Sequence, residues 1–293
     1  MKVLVGIKGG LGNQLFCYAF AYAVARKTNA KLYIDTTELE QGLVKDRKYE
    51  LSGFDIKYFK RISYGYVQNP VLRKIGINRI GKCLAIGLGT KIYKEQKNYY
   101  YDEKVFRINN NTYFDGFWQN YHYFDSYRDE ILSMLYYEPK LDERGRKLFR
   151  EIEESDSVSL HVRRGDYIGL NWQIPMNYYD DALVKLKDYT CNLNGALNVF
   201  VFSDDIEFAK GYFSGKKYEE INFRYMDYGS ENRNLSDMYL MSRCKHNIIA
   251  NSSYSWWGAY TNRNENRITI CPVIGTWDKS IYPDNWIKIE ISN

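Results

Sequence analysis

Val158–Val162, VSLHV, runs directly into Arg163–Tyr167, RRGDY, and the reading of that junction decides the fold. Alternating apolar residues ending abruptly in charge read as a strand whose carboxyl end carries chemistry. Downstream the pattern repeats. Helix-like Tyr178–Lys187, strand-like Asn198–Phe202, helix-like Asp205–Phe213 and strand-like Asn222–Asp227 follow in turn. Helix-like Leu235–Cys244, strand-like Asn247–Ala250, helix-like Tyr254–Asn262 and strand-like Arg267–Cys271 complete the series. Such alternation predicts a mostly parallel sheet covered by helices on both faces, with ligands beyond the carboxyl ends of the strands.

Upstream, Lys2–Ile7 reads as a strand, KGGLGN (Lys8–Asn13) as a tight turn, Gln14–Lys27 as a core helix and Lys31–Asp35 as a second strand. This is a β-α-β unit. The helix is too short to cross a bilayer, and Arg26 and Lys27 suit its carboxyl end. Residues 36 to 110 show weaker periodicity. The charged stretch Asp142–Asp156 marks the change of domain, giving an α/β chain with domains 1–150 and 151–293.

The 293 residues, 45% apolar and 26% charged, suffice for two cores. Net charge is +5, from 41 basic and 36 acidic residues in alternation, which leaves no nucleic-acid stripe. That excess suits an anionic small substrate or loose peripheral contact with an acidic membrane surface. The 29 tyrosines fit sugar-binding surfaces, and equally the wet edges of an ordinary core. Five scattered cysteines, Cys17, Cys83, Cys191, Cys244 and Cys271, point to reduced thiols in a cytoplasm. The three histidines, His122, His161 and His246, have no metal-ligand spacing. Neither a signal peptide nor a membrane span is expected.

Four segments carry chemistry. GGLGNQ (Gly9–Gln14) puts a glycine turn before a helix start, which either receives an anion or merely permits a sharp bend. A dinucleotide fingerprint would need glycine where Leu15 stands, although Asp35 mimics the ribose-binding acid. In HVRRGDY, His161–Tyr167, two arginines at a strand end call for a diphosphate, or else pair internally with aspartate. FSDD (Phe202–Asp205) opens a helix, so Asp204 either caps it or, like Asp205, accepts hydrogen bonds from ribose or base. In ANSSYSWWGAY, Ser252, Ser253 and Ser255 set hydroxyls beside free helix amides, while Trp256 and Trp257 are expected to pack against the sheet.

Taken in order, GGLGNQLF, DGFWQNYHYF, HVRRGDY, FSDD and NSSYSWWGAY resemble the bacterial-type α-1,2-fucosyltransferases that use GDP-fucose. HVRRGDY fits the H-x-R-R-x-D pattern common to several fucosyltransferase groups, and SSYSWWGAY is the more specific element. The resemblance implies a B-type glycosyltransferase fold, two Rossmann-like domains facing across a cleft, with the acceptor mainly N-terminal and GDP-fucose mainly C-terminal. It implies that Arg163 and Arg164 contact the pyrophosphate, His161 and Asp204 hold guanine or ribose, and Ser252 and Ser253 close over the phosphates. Gly10, Gly12 and Asn13 would reach the sugar and β-phosphate.

The reaction expected from it is inverting transfer of fucose to the 2-hydroxyl of a galactose-terminated glycan, without metal or cofactor. Asp115, Trp118 and Gln119 are expected acceptor contacts, and Asp115 and Asp166 are both candidates for a base, Asp166 also for an ion-pair partner. The rival from another class is a dinucleotide-dependent oxidoreductase built on GGLGN and Asp35. A sugar-binding protein without catalysis would have no use for the arginines.

Overall fold

A computed structural model of the chain describes residues 1–43, 45–63, 87, 89–190, 196–216, 218–275 and 279–291. It divides into two compact units, Met1–Tyr136 and Tyr137–Asn293. Each is a parallel-sheet α/β domain.

The first unit holds β1 (Lys2–Gly6), β2 (Lys31–Asp35), β3 (Lys60–Ile62), β4 (Lys91–Lys94) and β5 (Thr112–Asp115) in the order β3-β2-β1-β5-β4, all parallel. Chain order reverses between β1 and β5, so a crevice opens at their carboxyl ends. The helix Leu11–Lys27 is buried on nearly every side. Its Phe20 stacks on Trp118 with ring centroids 4.2 Å apart and meets Phe114 and Tyr123 edge-on. The helix starts at Leu11, three residues before the expected Gln14, because Gly9 turns the chain by itself at φ 72°. Gly12 and Asn13 therefore sit in the first helical turn.

In the second unit, β6 (Ser157–Val162), β7 (Leu197–Ser203), β8 (Ile221–Tyr225), β9 (His246–Ile248), β10 (Thr269–Val273) and β11 (Ile287–Glu290) form a parallel sheet ordered β11-β10-β9-β6-β7-β8. Renumbered from β6, this is the 3-2-1-4-5-6 order of dinucleotide-type domains, with the reversal between β6 and β9. Every side chain of β6 is buried, the alternating Ser157, Ser159 and His161 included.

The domain boundary expected at residues 150/151 is corrected to 136/137. Asp142–Asp156 looked like a linker because of its charge, yet it contains the helix Glu143–Glu154, whose Leu148 and Ile152 pack against Phe200, Phe202 and Met241. Trp256 and Trp257 are fully buried, as their packing role required. The Trp256 indole donates to the Ile281 carbonyl at 2.9 Å. Cys17, Cys244 and Cys271 are buried free thiols, while Cys83 and Cys191 lie outside the described residues. Among the described residues no helix is long and apolar enough to cross a membrane.

One buried amide locks the β6–β9 pairing to its covering helices. Asn247 Nδ2 donates to Ser159 Oγ at 2.7 Å and to the Met241 carbonyl at 2.8 Å, and its Oδ1 accepts from Asn262 Nδ2 at 2.8 Å. Asn247→Ala strands these partners in the core, and urea unfolding should report a loss of about 3 kcal/mol.

Candidate active site

The carboxyl ends of β6, β7 and β9 carry the polar residues of the second unit. His161, next to last in β6, is 4% exposed. Its Nδ1 is buried with no partner among the described residues, and its ring centroid lies 5.7 Å from that of Tyr254. Burial, reinforced by the Arg163 charge, pushes its pKa down to about 3. The imidazole is therefore neutral at ordinary pH.

Arg163 Nη2 pairs with Asp166 at 2.5 Å and its Nη1 with Asp204 at 2.9 Å, while its buried Nε has no partner among the described residues. Asp204 also accepts the Arg164 backbone N–H at 2.9 Å. That approach requires Gly165, since a Cβ there would lie 2.5 Å from Asp204 Oδ2. Arg164 Nε binds Asp205 at 3.1 Å, and its guanidinium lies 3.3 Å from the Phe208 ring centroid. Its two terminal amino groups make no hydrogen bond or ion pair among the described residues. A planar fork is thus left for a ligand.

Tyr167 joins this end to β9 by donating to the Asn251 carbonyl at 3.1 Å. Asn251 Nδ2 is used on the Trp172 carbonyl, leaving its buried Oδ1 without a partner among the described residues. Orphaned buried polar atoms are uncommon in folded proteins. Here His161 Nδ1, Arg163 Nε and Asn251 Oδ1 all lie where the strand order reverses.

Several expected roles change. The helix Ile206–Ser214 is capped by Asp205, which accepts from Phe208 N at 3.2 Å, and Asp204 is released to serve the arginines. Asp166 is the ion-pair partner of Arg163. Ser252 is the N-cap of the helix Ser253–Tyr260 and Ser253 its first residue, but Ser255 is a turn inside, 1% exposed, donating to the Ser252 carbonyl. Its hydroxyl is not available to a donor. Trp118 is likewise 1% exposed in the core, so the indole cannot touch an acceptor.

In the first unit the crevice between β1 and β5 brings together Lys8, Asn13, Asp115 and Gln119. Lys8 Nζ meets Asp115 at 2.7 Å, and Gln119 Nε2 donates to Asn13 Oδ1 at 2.8 Å. Burial pulls the Lys8 pKa down, but Asp115 outweighs it and leaves it raised. Gly10 is the helix N-cap, and Gly12 is buried behind it. Lys8 escaped sequence reasoning because its carboxylate partner is 107 residues away. Asp35 is not open to a ribose: it is 4% exposed and accepts from Thr37 N, Thr37 Oγ1 and Tyr113 OH.

Residues 87–290 match the family model for glycosyl transferase family 11. The chain belongs to that family. The O-antigen biosynthesis glycosyltransferase WbnK of Escherichia coli is 31% identical, over 97% of this chain and 99% of that one. An α-1,2-colitosyltransferase of Escherichia coli is 29% identical, over 98% of this chain and 99% of that one. Among solved structures, the NodZ α-1,6-fucosyltransferase soaked with GDP-fucose is similar at TM-score 0.44 and 16% identity, covering 89% of this chain and 93% of that one. The family 11 assignment and the sequestered Asp35 together overturn the oxidoreductase alternative.

In this family 11 glycosyltransferase the neutral His161 has a consequence for stability. In the unfolded chain its imidazole titrates near 6.5, but in the folded protein only near 3. Below pH 6.5 the unfolded chain therefore takes up a proton that the folded chain refuses. This contribution is lost as pH falls, by about 1.4 kcal/mol per unit between the two values. His161→Gln should flatten that slope in urea unfolding measured from pH 7 to pH ~4.5.

Proposed function

We propose that the chain transfers L-fucose from GDP-β-L-fucose to the 2-hydroxyl of a terminal galactoside, with inversion, in the synthesis of a surface polysaccharide. The observation that carries this reading is the Arg164 fork, left open beside the orphaned Arg163 Nε and His161 Nδ1. As the bond from the sugar to the β-phosphate breaks, guanidinium donors can take up the growing charge without a metal. Asp204, Ser252 and Ser253 stand at neighbouring strand ends, suited to ribose or phosphate oxygens. The carboxyl edge of the first unit, with Asn13, Asp115 and Gln119, is suited to the acceptor, and Asp115 offers a carboxylate for the hydroxyl proton. The O-antigen role named for WbnK supports a polysaccharide product. Buried free thiols at Cys17, Cys244 and Cys271 go with action in the cytoplasm.

The name of the colitosyltransferase relative favours a second reading, a colitosyl donor. Colitose is fucose without its 3-hydroxyl. A site that hydrogen-bonds this hydroxyl rejects the deoxy sugar strongly, and a site that does not accepts both. Incubation with each donor and a panel of galactose-ended acceptors, followed by linkage mapping, separates the readings.

Arg164→Ala should lower GDP affinity about tenfold or more and kcat/KM about a hundredfold. Arg164→Lys should recover little, since an ammonium cannot replace the fork. Chelation by EDTA should leave the wild-type rate unchanged. Full activity of Arg164→Ala would sink the assignment of the pyrophosphate site.

A further inference from the structure

Glu95, just beyond β4, belongs to none of the motifs, yet it holds the loop that follows β5. Its N–H donates to the Asp115 carbonyl at 2.9 Å. Its carboxylate accepts both the Phe117 N–H, at 2.7 Å, and the Trp118 N–H, at 3.1 Å. Loop and carboxylate are so close that a Cβ on Gly116 would lie 2.5 Å from Glu95 Cβ. Trp118 is left-handed at φ 56°, a costly conformation for a large aromatic residue. The paired amide bonds and the Phe20–Trp118 stack hold it there.

This turn sends the Trp118 indole into the core and leaves Phe117 half-buried on the carboxyl edge. Lys8 Nζ lies 5.6 Å from the Phe117 ring centroid and bonds Asp115, and the Asn13–Gln119 amide pair belongs to the same crevice. An aromatic face bordered by a carboxylate, an ammonium and amides suits a pyranoside, whose C–H face packs on the ring while its hydroxyls reach the polar groups.

We propose that Glu95 is a positioning residue for the acceptor, setting the Gly116–Trp118 turn so that Asp115, Phe117 and Gln119 present one sugar-binding face, with Phe117 as its platform. This rests on the acceptor reading given above for the same edge. Glu95 itself touches no substrate. A carboxyl group with two acceptor oxygens is what the turn requires, because each oxygen takes one of two adjacent amides.

Glu95→Gln keeps the size but turns an NH2 toward one of the two N–H donors. The acceptor KM for a galactoside should rise about tenfold, while donor KM, GDP affinity and donor hydrolysis without acceptor stay at wild-type values. Phe117→Ala should raise the acceptor KM similarly, and Phe117→Tyr, which keeps the ring, should restore it. An unchanged acceptor KM in Glu95→Gln, or an equal rise for donor and acceptor, overturns the proposal. If Glu95→Gln does not fold, the half-buried Phe117 pair decides, and a wild-type acceptor KM in Phe117→Ala overturns it. Failure of the wild-type protein to transfer sugar to any galactoside would instead remove the underlying reading, before any variant is compared.

Discussion

The parallel pairing of β6 with β7 on one side and β9 on the other is the constraint from which the second unit follows. Because β6 is buried on both faces, charged side chains are excluded from its length and gather beyond its carboxyl end, while its Ser157 and Ser159 hydroxyls accept hydrogen bonds from Lys245 N and Asn247 Nδ2. There the chain must leave the sheet with backbone groups still to satisfy. Asp204, delivered by the end of β7, accepts the Arg164 amide and pairs with the Arg163 guanidinium. One carboxylate thus closes the strand end and aims the arginines, and Gly165 provides the space it occupies.

Charge balance at this end is informative. Arg163 and Arg164 face Asp166, Asp204 and Asp205, so two positive charges meet three negative ones. A diphosphate would find little net attraction there if every pair persisted. Asp166 is the most exposed of the three, at 40% of its side chain, whereas Asp204 also holds a backbone amide and Asp205 caps a helix. A phosphate oxygen standing in for Asp166 would keep Arg163 neutralised and spare it a buried unpaired charge, which would cost several kcal/mol.

Legibility in the sequence follows the range of the interactions. The alternation after Ser157 is legible because hydrophobic periodicity is local, and five of the six strands of that sheet read as strands, β11 (Ile287–Glu290) being missed. The helix Gly165–Leu170 was missed because six residues with Ile168 and Leu170 exposed make no apolar stripe. The choice between Asp204 and Asp205 as cap turned on a one-residue shift, within the ordinary uncertainty of helix ends. Ser255 resembled its serine neighbours until helix phase turned it inward. Lys8 and Glu95 became functional candidates only through partners about 107 and 22 residues away, contacts with no sequence signature.

The orphaned atoms restrict the ligand further. An unpaired buried polar atom costs about 1–3 kcal/mol, so several at one place need a partner that supplies matching chemistry. Arg163 Nε can only donate, Asn251 Oδ1 can only accept, and the neutral His161 Nδ1 does either according to tautomer. Inorganic phosphate, nearly all acceptor, would satisfy the arginine and leave the asparagine bare. A nucleoside diphosphate brings phosphate acceptors together with the hydroxyl and ring N–H donors of ribose and guanine. The mixed polarity of the orphans therefore favours the whole nucleotide over a phosphate group alone, and the imidazole among them stays uncharged because it is buried beside the Arg163 guanidinium.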